Sequence, residues 1–293
     1  MGVKSLGGSK DVLTLQYRAI GWPSKPGDPE AVARFASIEE FMRSLLKKGV
    51  FREVLSIGRA RVLDVMAASG ICGVALARVL SEVGVYVDLV VSDLREEELG
   101  LAREWVREAS IKEGAVRLST AVADAAMLPK HFKGAEFDVA TVWGSSLPHL
   151  DAWQLPLLIS GVRELQPPHG VLIIEQADLL PGILVRNDFR YVLVEGREAL
   201  TIFETYDTLR GVQRRLLYKL PEMKYLGRVE SRLWEVAQVL VLTWLFYEDV
   251  DLHEHREMGR NTKAIVAKHP RKSATKWSEL VKSARTPLLA LIP

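Results

Sequence analysis

Cysteine is almost missing from this chain of 293 residues: Cys72 stands alone, so no disulfide closes within the chain and no multi-cysteine zinc or iron–sulfur centre is available. Long apolar runs are missing too. None reaches the roughly 18–20 residues that cross a bilayer as a helix. The first stretch, MGVKSLGGSKDVLTLQYRAIG, has no apolar core like that of a secretory signal, and Leu6 stands where a myristoylation motif has Ser or Thr. The expectation is a cytoplasmic protein in a reducing compartment with no membrane partner. An excess of one charge is also lacking. Lys and Arg number 39 against 37 Asp and Glu, a formal net charge of +2, which gives the whole chain no general pull on nucleic acid. Only Arg210 to Arg232 and the stretch KHPRKSATK are locally basic, and runs of this kind are mostly solvated faces. Amides are scarce, with two Asn and six Gln. With so much Arg and Glu, this composition hints at a thermophile.

What is present alternates. The length exceeds the usual 100–200 residues of one domain, so one large α/β unit with appendages is expected. Residues 1–58 read as an N-terminal arm, irregular around Gly21, Pro23, Pro26 and Gly27, followed by an amphipathic helix over 29–48. From 59 to 180 apolar strands and helices take turns: strands ARVLDVMA, VYVDLVVSD, GAVRLSTAVAD, EFDVATVW and GVLIIEQAD, with helices after Gly70, over 95–110 and over 151–165. Strands this apolar belong to a parallel sheet covered on both faces. The segment 181–230 breaks the rhythm with alternating, charged β character and reads as a β-rich insert. A helix over 231–245 and strands LFYEDVDLHE and TKAIVAKHP complete the core to 270, and a basic tail fills 271–293. Because a turn region with Gly259 and Asn261 separates the last two strands, they read as a hairpin, with one antiparallel strand at the sheet edge. The fold class is therefore doubly wound α/β, and its ligands bind beyond the carboxyl ends of the strands.

Those strand ends carry chemistry. Asp64 ends the first strand and leads through Met66, Ala67, Ala68 and Ser69 to a single Gly70. Asp93 ends the second, a little over twenty residues beyond the glycine loop, where a carboxylate accepts hydrogen bonds from both hydroxyls of a ribose. Asp124, followed by Ala125, ends the third and suits an adenine amino group, with Leu94 and Met127 as apolar cover for the ring. Trp143 to His149 follow the fourth. One such acid alone is as well explained as a turn or helix cap; three in register point to an adenosine. The Gly-x-Gly-x-x-Gly turn of a dinucleotide site is absent, which disfavours a nicotinamide cofactor.

In order, VLDVMAASGICG, VVSDL, VADAAMLP, FDVATVWGSSLPHL and PPHGVLIIEQ resemble the motif set of the class I S-adenosylmethionine-dependent methyltransferases. The resemblance covers about residues 60 to 178. It implies a Rossmann-like, seven-stranded sheet and S-adenosylmethionine as cofactor. The first loop, with Asp64 and Ala67 to Gly70, would carry the amino-acid part, Asp93 the ribose, and Asp124 with Ala125 the adenine. The fourth strand's loop, Trp143 to His149, would face the methyl group. Family members commonly have glycine where this chain has Met66 and Ala68. No Asn-Pro-Pro-Tyr or Asp-Pro-Pro-Tyr segment follows the fourth strand, and GSSLPHL resembles the loop of members acting on small molecules. A small-molecule acceptor is thus expected, with RNA or protein, or cofactor binding without chemistry, as the alternatives.

The remaining candidates follow from these placements. His149 is the candidate catalytic base or substrate contact, because imidazole titrates near neutrality, and it is equally a cap for the helix after Asp151. Trp143 would wall the methyl site or belong to the core. Tyr17 and Trp22 of the arm, and Tyr206 and Arg210 of the insert, are candidates for substrate binding from above the strand ends. His253 and His255 of HEHRE share a strand face but lack an evident third ligand, so no metal is expected. Cys72 reads as a packing residue.

Overall fold

Val62, Leu63 and Val65 of the first strand and Val87, Leu89 and Val91 of the second are all buried, which requires apolar layers on both faces of the sheet. The computed structural model describes residues 10–177, 192–207, 209–257 and 260–283. In it these strands are β1 (Arg59–Val65) and β2 (Tyr86–Asp93), joined by β3 (Val116–Val122), β4 (Val139–Val142) and β5 (Val171–Gln176). A separate sheet follows, β6 (Val192–Glu195), β7 (Ala199–Asp207), β8 (Val212–Lys219) and β9 (Lys224–Ser231). β10 (Tyr247–Glu257) and β11 (Arg260–Pro270) close the first sheet. Its order is β10-β11-β5-β4-β1-β2-β3, with β1 to β5 parallel and β11 antiparallel to both neighbours. The antiparallel strand expected at the edge therefore lies one place inboard. Since β11 is the hairpin arm that docks on β5, its partner β10 is left outermost and runs parallel with the rest.

The helices are α1 (Lys10–Ile20), α2 (Pro29–Lys47), α3 (Arg52–Ile57), α4 (Ile71–Glu82), α5 (Glu96–Leu99), α6 (Leu101–Glu108), α7 (Leu128–His131), α8 (Gln154–Glu164), α9 (Val236–Trp244) and α10 (Trp277–Ser283). α2, α4 and α6 bury their stripes on one face of the sheet with Val62, Val87 and Val91. α7, α8 and α9 cover the other with Leu63, Val65, Ile174 and Ile265. Asp28 starts α2 by accepting from the backbone of Glu30 and Ala31, the capping that satisfies a helix's orphan amides. The helix expected over 95–110 is divided at Gly100 into α5 and α6. The one expected over 231–245 begins only at Val236, because residues up to Ser231 pair with β8 as β9.

The expected β-rich insert is the meander β6-β7-β8-β9, antiparallel throughout. Its hidden face receives α1: Ala19 packs with Ala199, Leu217 and Val229, and Arg197 and Glu198 donate their amides to the carbonyls of Ile20 and Ala19. Of the arm read as irregular, Lys10–Ile20 are thus helical, and Gly21 ends α1 with φ of 64°. Glycine tolerates that value without strain. Within the basic tail, α10 docks through Trp277, whose indole donates to the carbonyl of Ala126 at 2.9 Å. Readings that fall on Leu6, on 178–191 of the insert, on Gly259 and on 284–293 of the tail lie outside the described residues. Among the described residues no helix is long and apolar enough to cross a membrane.

Trp105 of α6 couples the N-terminal region to the sheet. It is 1% exposed, stacks on Phe35 of α2 at 5.2 Å and donates to the carbonyl of Ser24. Trp105→Ala should cost about 3–5 kcal/mol, the usual penalty for emptying a large aromatic site, and denaturant unfolding measures it.

Candidate functional site

The turn after β1 carries the first local constraint. Met66 and Ala68 both adopt positive φ, 55° and 48°, as does Gly70 at 76°. For L-residues with a Cβ this region is costly, by about 1–2 kcal/mol each, so something must hold the loop there. Ala68 donates its amide to Asp93 Oδ2 at 2.8 Å, and Ala67 donates to the carbonyl of Ser92 at 3.0 Å. The end of β2 thereby fixes the loop. Gly70 cannot be replaced in the same way: a Cβ there would lie 2.9 Å from Val91.

Asp64 is 1% exposed and turns inward, accepting from Thr141 Oγ1 at 2.7 Å and from the Gly73 amide at 2.8 Å. Burial outweighs these bonds and raises its carboxyl to about 6. Asp93 accepts three N–H groups, from Ala68 and from the backbone and Nε of Arg95. A carboxylate has about four acceptor positions, so it retains capacity for a hydroxyl. Asp124 caps the turn Ala125–Met127 through the amide of Ala126.

These groups line one cleft above the carboxyl ends of the strands, in two compartments. The larger is lined by Asp93, Leu94, Asp124 and Ala125, and on its far side by Gln16, His149, Gln154, Val229 and Glu230. The smaller is lined by Asp64, Ala67, Ala68, Ser69 and Trp143, and by Trp22 and Arg34 of the N-terminal region. Tyr17, Met66, Arg95 and Ser146 belong to both. The first-loop residues, Asp93, Leu94, Asp124, Ala125, Trp143, Tyr17, Trp22 and His149 are accordingly brought together. Gly70 lies beneath the loop against Val91 and Ala102. Tyr206 on β7 is 48% exposed and does not line the cleft. Arg210 does not line it either; it pairs with Asp151 and Glu230.

Tyr17, which lines both compartments, makes an aromatic contact with His149 of the larger one. Tyr17 and His149 are hydrogen-bonded, hydroxyl to Nε2, at 2.6 Å, and the Arg95 guanidinium lies 4.3 Å from the Tyr17 ring. Burial, assisted by the Arg95 charge, holds the His149 imidazole down at about 4. Burial pushes the Tyr17 phenol up to about 12. Both are neutral at neutral pH, so His149 acts as a hydrogen-bonding group rather than a base poised near 7. The loop after β4 is held from behind: Glu175 of β5, 2% exposed, accepts the amides of Gly144 and Ser145 at 2.9 and 2.7 Å, both in left-handed conformation.

Arg34, Arg95 and Glu175 were not singled out from the sequence. Arg34 had a signal: it falls on the apolar stripe Ala31, Phe35, Ile38, Met42 of α2, where an arginine is out of place. Glu175 had the same one, as an acid in a wholly buried strand. Of the pair in HEHRE, His253 meets Lys48, and His255 meets Trp143 edge-on and Phe41 at a tilt. Among the described residues no group of three or more metal-ligating side chains occurs.

No protein-family model matches the chain, and no curated protein matches it in sequence. Solved structures do. The chain is similar to the PH0226 protein of Pyrococcus horikoshii, with 20% identity and a TM-score of 0.57, over 86% of this chain and 97% of that one. It is also similar to an S-adenosylmethionine-dependent methyltransferase of Clostridium acetobutylicum, with 14% identity and a TM-score of 0.51, over 75% of this chain and 89% of that one. The chain has the Rossmann-like fold of these proteins, as the strand-end motifs lead one to expect.

The loop gives paired predictions of opposite sign. Ala68→Gly relieves the left-handed strain while adding the smaller chain-entropy cost of glycine, so it should raise stability by up to about 1 kcal/mol. Gly70→Ala should lower stability by about 1–3 kcal/mol, as overpacking does; thermal unfolding reads both. For His149, the imidazole resonances should titrate with a midpoint of about 4 instead of the ordinary 6.5. The unfolded chain binds that proton first, so the stability contributed by neutral His149 is present above 6.5 and is lost as pH falls towards 4. A midpoint near 6.5 would refute the buried placement.

Proposed function

We propose that this protein is an S-adenosylmethionine-dependent methyltransferase acting on a small molecule. The observation that carries the reading is the first loop, which takes left-handed backbone at Met66 and Ala68 without glycine and is clamped by Asp93 at the head of a continuous cleft. The residues fit the cofactor in order along the sheet: Asp124 and Ala125 for the adenine, Leu94 against the ring, the remaining acceptor capacity of Asp93 for a ribose hydroxyl, and Ala67 to Ser69 for the aminoacyl end. Bound S-adenosylmethionine supplies a methyl group on a sulfonium, open to in-line displacement. The chain's part is to hold the acceptor in near-attack geometry and keep water out. Met66 lines both compartments and Trp143 the smaller one. Tyr17 and His149, both neutral, offer hydrogen bonds and orient an acceptor without ionising it.

A small acceptor is supported by the roof. α1 and β9 close over the larger compartment through Leu13, Gln16 and Val229. Among the described residues of the insert, Arg214 and Arg210 pair with Glu230, Arg215 with Glu195 and Arg228 with Glu204, while Arg197 pairs with Glu30. The basic stretch after β11 leaves the sheet beside Val171, at the end of β5 away from the cleft. Among the described residues, neither basic region faces the strand ends in the way a polyanion would use.

Calorimetry with S-adenosylmethionine and S-adenosylhomocysteine tests the cofactor, and absence of binding to the folded protein would overturn the reading. Asp93→Ala should weaken binding about 10- to 100-fold, the scale of one charge-assisted hydrogen bond. RNA should show no affinity even at low salt, where phosphate contacts are strongest.

A further inference from the structure

At the end of the sheet away from the cleft, where Val171 of β5 pairs with Lys268 of β11, a recess of about 460 Å³ opens between the last turn of α8 and the chain that follows β11. Its charged lining is one-sided, with Arg163, Arg271, Lys272 and Lys276 against Glu164 alone. Glu164 is already engaged, since it accepts the amide of Trp277 at the start of α10. Just before the recess, Lys268 and His269 both face Asp249, at 3.9 and 3.4 Å. The four cations of the recess have no such counterpart: among the described residues none of them makes an ion pair. A hollow lined by one sign of charge focuses its field and concentrates counter-ions.

Arg163 is the built part of this site. It is 9% exposed, and a buried guanidinium is costly unless its donors are used. Nε donates to the carbonyl of Arg271 at 3.0 Å, and Nη2 to those of Ala274 at 2.6 Å and Lys272 at 3.4 Å, so the side chain staples the turn over 271–274 and is itself held still. Nη1 has no partner among the described residues and is not sealed off, on a side chain that lines the recess. Arg271 is steadied by Trp244: its Nε donates to that residue's carbonyl at 3.1 Å, and its guanidinium lies 5.7 Å from the ring centroid. Both guanidiniums are thus placed before any ligand arrives, which limits the freedom lost on binding.

We propose that this recess binds a compact phosphate-bearing anion, a phosphate monoester or a diphosphate, at a site separate from the cleft. Guanidinium forks match phosphate oxygens in pairs, and lysines add point charge. A terminal phosphate carries about two negative charges at neutral pH and a diphosphate more, which suits four unmatched cations better than the single charge of an internal phosphodiester. The proposal does not depend on the methyltransferase reading.

The test is calorimetry of the full chain with inorganic pyrophosphate at low ionic strength, where screening is weakest. The wild type should bind one pyrophosphate per chain with a Kd below about 1 mM. The double variant Lys272→Ala, Lys276→Ala should bind at least about 10-fold more weakly with its thermal unfolding unchanged, because both side chains are exposed. Arg163→Gln should also lose binding; if it does not fold for want of the staple, the double lysine variant decides. Absence of binding by the wild type, or equal binding by the lysine variant, overturns the site. S-adenosylhomocysteine added first should leave pyrophosphate binding unchanged, and displacement by it would place the anion in the cleft and overturn the recess. Failure of S-adenosylhomocysteine itself to bind overturns the proposed function alone. An RNA oligonucleotide without terminal phosphates that binds, and is lost with the same lysines, overturns the compact-anion site in favour of a nucleic-acid surface.

Discussion

The carboxylate of Asp93 ties together pieces of chain that lie far apart in sequence. One oxygen takes the amide of Ala68, and the other takes the backbone and guanidinium of Arg95. Arg95 in turn lies over Tyr17, and Tyr17 reaches His149. The first loop, the end of β2, the N-terminal helix and the loop after β4 are thereby connected through one buried acid. Removing its charge would leave Arg95 buried beside Tyr17 without compensation, which is the costly way to break a buried pair. The same group thus maintains the cleft's shape and, on the proposed function, retains a lone pair for the ligand.

That arrangement explains how the loop manages without two glycines. A glycine loop takes left-handed backbone freely and loses chain entropy for it; Met66 and Ala68 take the same backbone with strain, and a charge-assisted hydrogen bond to Asp93 offsets it. The exchange has a steric result. Met66 lines both compartments and packs against the core cluster of Leu63 and Val65, and Ser146 donates to its carbonyl. Only Gly70 and Gly73 stayed glycine, at the positions where Val91, Asp64 and Leu89 crowd the backbone.

Much of this was legible beforehand, and for physical reasons. Strands covered on both faces are long apolar runs, so their ends are conspicuous, and Asp64, Asp93 and Asp124 stand at those ends. The turn into α4 and the helix of residues 29–48 announce themselves by periodicity. What periodicity conceals is direction and pairing. It could not say that β11 would insert between β5 and β10, because both orders satisfy the same hairpin. Tyr206 and Arg210 looked available because an insert's polar groups carry no sign of which face turns to the cleft; in the fold, one is on the outer surface and the other is spent on Asp151 and Glu230. Arg34 and Glu175 were hidden for the opposite reason, as lone charges inside apolar patterns that look like noise until the third dimension gives them a partner.

The charges around the acceptor end of the cleft bear on what can be bound there. Glu230 lines the larger compartment but holds Arg210 and Arg214, and Tyr17 and His149 keep their protons arranged as neutral groups far from neutral pH on either side. What remains on that wall is Leu13, Leu150 and Val229 with the amides of Gln16 and Gln154. A charged acceptor would lose hydration there without an opposite charge free to replace it. On the proposed function, selection therefore works through apolar fit and hydrogen bonding. On the proposed function, with His149 held neutral down to about 4, the described lining suits a nucleophile that arrives with a lone pair already available for attack.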